Sequence, residues 1–378
     1  MVESRLKQLH DMGQSIWLDS IDRTMIHNGE LARRIKDDSL TGMTSNPTIF
    51  EKALSGGDAY DEQLSSADPD LDPSQLFELV ETTDVRDACD RFAGVYSATR
   101  GADGYVSIEV SPGVSHSADA SVEEARRLWK TVDRPNVMVK IPGTEEGAVA
   151  VRRLIAEGIN VNITLLFAIE AHARVIEAFM AGHEDRVKAG KPIDGVASVA
   201  SFFVSRVDTE VDNRLDAKAV AASGAEKERF EVLKGRAAIA NAKLAYKLFT
   251  DRFQGPRWEA LAAKGARLQR PLWASTSTKN PKYRDVMYVE ELIGPHTVNT
   301  MPPATIEAFR EHGEVQRTVN ARLGAAEGLL KELERAGISM RDVTDKLLTE
   351  GIASFQKSFD GLLAGIQAKS GALTPGRK

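Results

Sequence analysis

Asn136-Val137-Met138-Val139-Lys140-Ile141-Pro142-Gly143-Thr144 is the stretch of this 378-residue chain on which the fold class turns. It is short, rich in β-branched residues and stopped by Pro142-Gly143, the pattern of a buried β-strand. Lys140 sits near its C-terminal end. Lysine is among the side chains least often fully buried, so this placement needs a cause. One cause is plain: the methylenes lie along apolar neighbours and the ammonium reaches water. The other is chemical: burial disfavours the charged form, and a neutral amine becomes available to attack a ketone.

The same rhythm runs in both directions. Strand-like runs are Ser15-Ile16-Trp17-Leu18-Asp19, Leu40-Thr41-Gly42-Met43-Thr44, Tyr105-Val106-Ser107-Ile108-Glu109-Val110, Asn160-Val161-Asn162-Ile163-Thr164-Leu165, Val196-Ala197-Ser198-Val199-Ala200-Ser201-Phe202-Phe203, Pro271-Leu272-Trp273-Ala274-Ser275 and Thr297-Val298-Asn299-Thr300. With the Lys140 stretch they make eight, and Lys140 falls on the fourth. Helical patterns separate them over residues 75–98, 122–131 and 168–182. After the Lys140 strand, Thr144 suits an N-cap and Gly158 a C-terminal stop. Phe230, Leu233, Ala237, Ala240, Leu244 and Leu248 recur at helical spacing in one long helical region. Gly56-Gly57 and Asp68-Pro69-Asp70-Leu71-Asp72-Pro73 mark a surface excursion.

In the tail, Val343, Leu347, Leu348, Ile352, Phe355, Phe359, Leu362, Leu363 and Ile366 draw one broad apolar face. Ser339 with Asp342 resembles a capping box at its start. Ser370-Gly371-Ala372-Leu373-Thr374-Pro375-Gly376 reads as a frayed end. Strands that each lead into helix predict an α/β fold, a (β/α)8 TIM barrel with inserted helices and a helical C-terminal tail. The expectation is one domain over 1–378, with 314–370 as C-terminal helices packed on the barrel. A doubly wound open sheet is the alternative. No Gly-x-Gly-x-x-Gly opens the first strand–helix unit to support it.

In such a barrel the C-terminal strand ends share one mouth. Those ends carry Asp19, Asn46, Glu109, Lys140, Asn162, Thr164, Ser201, Arg206 and Ser275 through Lys279. Each has an ordinary role when taken alone. Asp19 and Asn46 suit caps and turns, Glu109 a structural ion pair, Thr164 a strand, Arg206 and Lys279 solvated charge. Their convergence on one end of one sheet is what points to a site.

Composition bounds the partners. The chain is 42% hydrophobic and 28% charged, with a formal net charge of -6. That charge argues against a coat for nucleic acid or an anionic membrane, so an anionic ligand needs a local cluster of cations. A single cysteine, Cys89, excludes an internal disulfide and points to a reducing, cytoplasmic setting. It lies in a helical run and reads as a packed thiol. The first residues carry no signal-peptide h-region, and no apolar run approaches the roughly 20 residues of a membrane span. The seven histidines show no His-x-x-x-His spacing, and no Walker A loop or Gly-x-Ser-x-Gly elbow appears. Metal chemistry has little support.

Gly42-Met43-Thr44-Ser45-Asn46-Pro47-Thr48 resembles the N-terminal signature of the transaldolase family. Val137-Met138-Val139-Lys140-Ile141-Pro142-Gly143-Thr144 resembles the segment around that family's Schiff-base lysine. Gly158-Ile159-Asn160-Val161-Asn162-Ile163-Thr164-Leu165-Leu166-Phe167 and Ser201-Phe202-Phe203-Val204-Ser205-Arg206 resemble two further blocks. The correspondence runs from about residue 15 to 308, and the tail suits the longer members.

The resemblance implies a class I aldolase-like barrel with its reactive lysine on the fourth strand. It implies transfer of a dihydroxyacetone unit from sedoheptulose 7-phosphate to glyceraldehyde 3-phosphate, giving erythrose 4-phosphate and fructose 6-phosphate without metal or organic cofactor. It makes Lys140 the nucleophile, Asp19 the proton-transfer group, and Glu109 with Thr164 the holders of a catalytic water. Asn46, Asn162 and Ser201 would hold the dihydroxyacetone hydroxyls, and Arg206 the phosphate. The chain departs from the family at Ala274-Ser275-Thr276-Ser277-Thr278-Lys279-Asn280. Many members carry a second arginine there. Lys279 is the stand-in, and Ser275 the safer member of that block.

Two rivals remain. Fructose 6-phosphate aldolases release free dihydroxyacetone; they resemble one another in having Gln and Tyr where this chain has Glu109 and Phe203. A non-catalytic phosphosugar-binding barrel is the rival of another class, and intact Lys140, Asp19 and Glu109 argue against it. Monomer and homodimer are both open.

Overall fold

Strands covered by helices on one side and by a packed barrel on the other have no solvent face, which is why their sequences are nearly continuous apolar runs. The computed structural model describes residues 4–373. Eight parallel strands close in chain order into a barrel: β1 (Gln14–Asp19), β2 (Leu40–Thr44), β3 (Tyr105–Glu109), β4 (Val137–Pro142), β5 (Val161–Leu166), β6 (Ser198–Phe203), β7 (Arg270–Ala274) and β8 (Thr297–Met301). Every strand expected from the sequence is present, with ends moved by one or two residues at most. The register sets Glu109 beside Lys140, and Lys140 beside Asn162.

Helix caps carry polar groups to the mouth. The Asn46 carboxamide oxygen accepts from the Ile49 amide at 3.0 Å, with Pro47 in the first helical turn. The Thr144 hydroxyl accepts from the Gly147 amide at 2.9 Å. At the opposite end of the barrel, Asp103 gathers Ser15, the Trp17 indole (2.8 Å) and Arg270. That buried carboxylate joins β1 and β7 to the loop before β3.

The helical region expected around residues 230–248 is two helices, Gly224–Leu233 and Ala237–Arg252. Between them Gly235 has φ +67°, and a Cβ there would lie 2.6 Å from the Tyr283 ring. Apolar periodicity continues across this break and cannot reveal it. The frayed end is also corrected. Ser370 is buried and helix continues through Leu373, while Thr374–Gly376 lie outside the described residues. Of the expected capping box, the Asp342 amide donates to the Ser339 hydroxyl at 3.2 Å.

The last helix, Met340–Leu373, lies over the mouth. It packs on β5 and on the helices Pro47–Ser55, Pro73–Ala98 and Ser205–Ala219. Polar hooks hold it. Thr48 and Ser358 hydroxyls bond at 2.8 Å, Lys346 pairs with Glu210 at 2.6 Å, and Lys369 pairs with Asp61 at 2.9 Å. Phe77 and Phe359 meet edge to face at 5.8 Å.

Gly42 in β2 tests how rigid the barrel is. A Cβ there would sit 2.5 Å from the fully buried Trp17 ring, which Asp103 holds in place. Gly42→Ala is expected to destabilise by about 1–3 kcal/mol, the usual cost of overpacking. An unchanged midpoint in urea unfolding would mean that Trp17 yields freely.

Candidate active site

Lys140 is 5% exposed and Glu109 7% exposed, on adjacent strands. The register alone brings them together: the Lys140 Nζ donates to Glu109 Oε2 at 2.7 Å and to the Ser45 carbonyl at 2.8 Å. A buried charge is tolerated only when paired and hydrogen-bonded, and both conditions hold here. Burial pushes the Glu109 carboxyl up, against the pull of Lys140; the nearby Asp19 charge adds to the rise.

A cavity of about 150 Å³ opens above this pair. Its wall includes Asp19, Thr44, Asn46, Lys140, Thr164 and Ser201 on one side. Phe203, Arg206, Ser275, Lys279, Thr300 and Phe355 complete it. Nine of the eleven site residues expected from the sequence therefore share one wall; Glu109 and Asn162 are the two that do not. Asn162 lies one layer below. Its carboxamide accepts from Ser201 Oγ at 2.6 Å and donates to Ser107 Oγ at 3.0 Å, so it orients Ser201.

Asp19 ends β1, and its Oδ1 accepts from the Thr44 hydroxyl at 2.9 Å. Thr44 in turn meets Thr300 at 2.7 Å. Burial raises the Asp19 carboxyl, opposed by the Thr44 bond and then by Lys140, Lys279 and Arg206. A carboxyl moved toward neutrality is suited to giving and taking protons. The Thr164 hydroxyl is buried and has no hydrogen-bond partner among the described residues. Buried polar groups without protein partners are where ordered water sits.

Two cations stand at the rim. Arg206 is in the first turn of the helix Ser205–Ala219, its guanidinium 5.4 Å from the Phe203 ring centroid. Lys279 donates to Ser277 Oγ at 2.8 Å. Neither forms an ion pair with a described carboxylate, which leaves both charges free for an anion. Burial and then Arg206 hold Lys279 below the ordinary lysine range. The loop bearing Lys279 is tied to the Arg206 helix: Tyr283 donates to Asp212 at 2.5 Å and Tyr288 to Asp208 at 2.9 Å.

Thr44, Thr300 and Phe355 are cavity residues that reading the sequence missed as site residues. Thr44 belongs to the quoted signature, and Thr300 ends a strand run. Phe355 comes from the tail helix, with Lys140 Nζ 6.0 Å from its ring centroid. Nothing near Phe355 in sequence marks it. Among the described residues, no group of three or more His, Cys, Asp or Glu has metal-holding geometry.

An amine, two carboxylates and two free cations at the C-terminal mouth of a parallel barrel are the groups that imine chemistry on a phosphorylated carbonyl compound uses. The family model described as Transaldolase/Fructose-6-phosphate aldolase matches residues 16–366. A protein named Transaldolase from Parafrankia sp. (strain EAN1pec) is 48% identical over 97% of this chain and 98% of its own length. Another of that name from Trichodesmium erythraeum (strain IMS101) is 44% identical over 99% of this chain and 100% of its own. A third, from Thermobifida fusca (strain YX), is 47% identical over 95% and 96%. The chain belongs to the transaldolase/fructose-6-phosphate aldolase family.

The buried pair has a measurable signature. Glu109→Ala leaves the Lys140 ammonium without its carboxylate and is expected to destabilise by about 3–5 kcal/mol. The double variant Lys140→Met with Glu109→Leu is expected to lie much closer to the parent in denaturant unfolding. Equal stability of Glu109→Ala and the parent would show the pair to be absent in solution.

Proposed function

We propose that the chain is a transaldolase working through an imine on Lys140. The buried Lys140–Glu109 contact at 2.7 Å, facing a cavity with Asp19 opposite, carries this reading. Lys140 gives a proton to Glu109 and its amine attacks the ketone carbon of sedoheptulose 7-phosphate. Water held between Glu109 and the unpartnered Thr164 hydroxyl returns the proton as hydroxide leaves, so one water is lost and the iminium forms. Asp19 takes the proton from the C4 hydroxyl. The C3–C4 bond breaks, its electron pair moves into the iminium, and erythrose 4-phosphate departs.

The remaining enamine attacks the aldehyde carbon of glyceraldehyde 3-phosphate, and Asp19 returns its proton to the new alkoxide. Water then hydrolyses the iminium and frees fructose 6-phosphate and Lys140. Asn46 and Ser201, the latter aimed by Asn162, hold the hydroxyls of the three-carbon unit. Arg206 grips the phosphate as a planar fork, while Lys279 adds a point charge. Ser275 bonds Ser205 at 2.9 Å and fixes the start of the Arg206 helix. Phe203 and Phe355 line the same cavity with apolar rings, shielding the enamine from water. That shielding and the carboxylate at Glu109 favour transfer to an acceptor over release of free dihydroxyacetone.

The whole chain serves as one domain in this reading, with sugar phosphates as partners and the cytoplasm as its setting. The lone, buried Cys89 supports a reducing compartment, and among the described residues no helix is long and apolar enough to cross a membrane.

Borohydride with fructose 6-phosphate is expected to trap a stable adduct on Lys140, and Lys140→Ala to lose both adduct and turnover. An adduct retained by that variant would remove the nucleophile. Free dihydroxyacetone released at the transfer rate without acceptor would favour the aldolase reading instead.

The cations predict a pH dependence. Lys279 loses its proton below the ordinary lysine value of about 10.4, so KM for the sugar phosphates should rise on the alkaline side before that pH. Lys279→Arg keeps its charge and should move this rise to higher pH. Identical KM profiles for parent and variant would exclude Lys279 from phosphate binding.

A further inference from the structure

Glu109 separates two cavities. Its carboxylate meets Lys140 on the inner side, yet Glu109 does not line the mouth. It lines a second cavity of about 690 Å³, between the helices Pro73–Ala98 and Ala118–Val132. The wall there includes Glu81, Thr82, Ser111, Glu124, Arg127 and Thr131. Thr131 and the Arg127 side chain are exposed, so the cavity reaches the surface, and it shares no lining residue with the cavity at Lys140.

Glu81 has no structural explanation. It is 4% exposed, on the inner face of the helix Pro73–Ala98, and accepts no hydrogen bond from any described residue. The other acids of the wall are engaged: Glu124 accepts from the Ser111 amide at 2.9 Å and its hydroxyl at 2.8 Å, and Glu78 pairs with Arg127 at 2.9 Å. A buried carboxyl without a partner costs stability, and its charged form costs more than its neutral one. Burial, then Glu124, Glu109 and Glu78, hold Glu81 well above the ordinary carboxylate range, against the pull of Lys140.

We propose that this second cavity is a side port through which water and protons reach Glu109 while sugar phosphate fills the mouth, and that Glu81 is its relay. The inference rests on the imine reading of Lys140. Imine formation expels one water and iminium hydrolysis consumes one, each with a proton transfer at Glu109. The covalent intermediate and its acceptor occupy the cavity that Lys140 and Phe355 line. As Glu109 gives the proton it took from Lys140 to the leaving hydroxide, Glu81 lends its own through cavity water to the Glu109 carboxylate and takes it back before hydrolysis, when Glu109 must accept again; no net proton enters over the cycle. Glu81 touches no substrate and acts through Glu109.

Glu81→Gln keeps size and removes the transferable proton. It is expected to lower kcat about 10-fold, below the roughly 10²–10⁴ of a direct general acid. KM should not change, and the fall of kcat with rising pH as Glu81 loses its proton should flatten. Glu81→Ala should regain turnover with added acetate, which the cavity admits; a merely structural role gives no such rescue. If Glu81 variants fail to fold, Thr131→Trp narrows the port from its rim with Glu81 intact and should lower kcat in the same way. A parental kcat and pH profile in folded Glu81→Gln or Thr131→Trp overturns the proposal. Borohydride trapping on Lys140 in the parent separates that failure from failure of the imine reading, which would leave no adduct at all.

Discussion

The contact between Lys140 and Glu109 is the constraint to which the rest of the barrel answers. Taking two opposite charges out of water costs more than their attraction returns unless geometry and further hydrogen bonds are good. A closed barrel supplies that geometry without mobile parts. Glu109 and Lys140 are register partners on β3 and β4, and the Ser45 carbonyl after β2 completes the ammonium's shell. The barrel interior beside the pair is polar as well: Ser107, Asn162 and Ser201 bond to one another in series across β3, β5 and β6. Such a series inside a barrel is stable only when each member is satisfied. Thr164, whose hydroxyl has no partner among the described residues, lines the same cavity as Lys140.

The tail helix extends this logic to solvent. A barrel mouth is open by construction, and an amine beneath it would exchange freely with bulk water. Met340–Leu373 closes much of that opening from one side, and its hooks are spread along its length. Lys346 near its start reaches the Arg206 helix, and Lys369 near its end reaches the β2 side. Gly351 lets the helix approach β5: a Cβ there would lie 3.0 Å from Leu165 and 3.8 Å from the Arg206 guanidinium. One helix therefore contacts both the apolar and the anion-gripping part of the cavity.

Much of this was legible in the sequence, for a physical reason. Strands buried on both faces give unbroken apolar runs, so a polar residue inside one, such as Lys140 or Glu109, stands out. Strand ends of a parallel barrel share a mouth, so counting strands also collects Asp19, Thr164 and Ser201. What stayed hidden depends on contacts between distant segments. The helix break at Gly235 is dictated by the ring of Tyr283, which apolar spacing does not record. Phe355 looks like any core residue of an amphipathic helix until the helix is laid over the mouth. Glu81 sits in a helical stretch where a glutamate is unremarkable, and only packing against β3 makes it isolated.

The two rim cations differ in a way that bears on how a phosphate is held in a chain whose formal net charge is -6. Arg206 is in the first turn of a helix and lies near the Phe203 ring. Lys279 is on a loop, bonded only to Ser277, two residues away. Its position is inherited from Tyr283 and Tyr288, which moor that loop to Asp212 and Asp208 on the Arg206 helix. The loop of one cation is thus moored to the helix that bears the other. Under the proposed reading, a guanidinium fork on a helix with a point charge on a loop can follow a phosphate through donor and acceptor sugars of different length, where two forks would fit one length best.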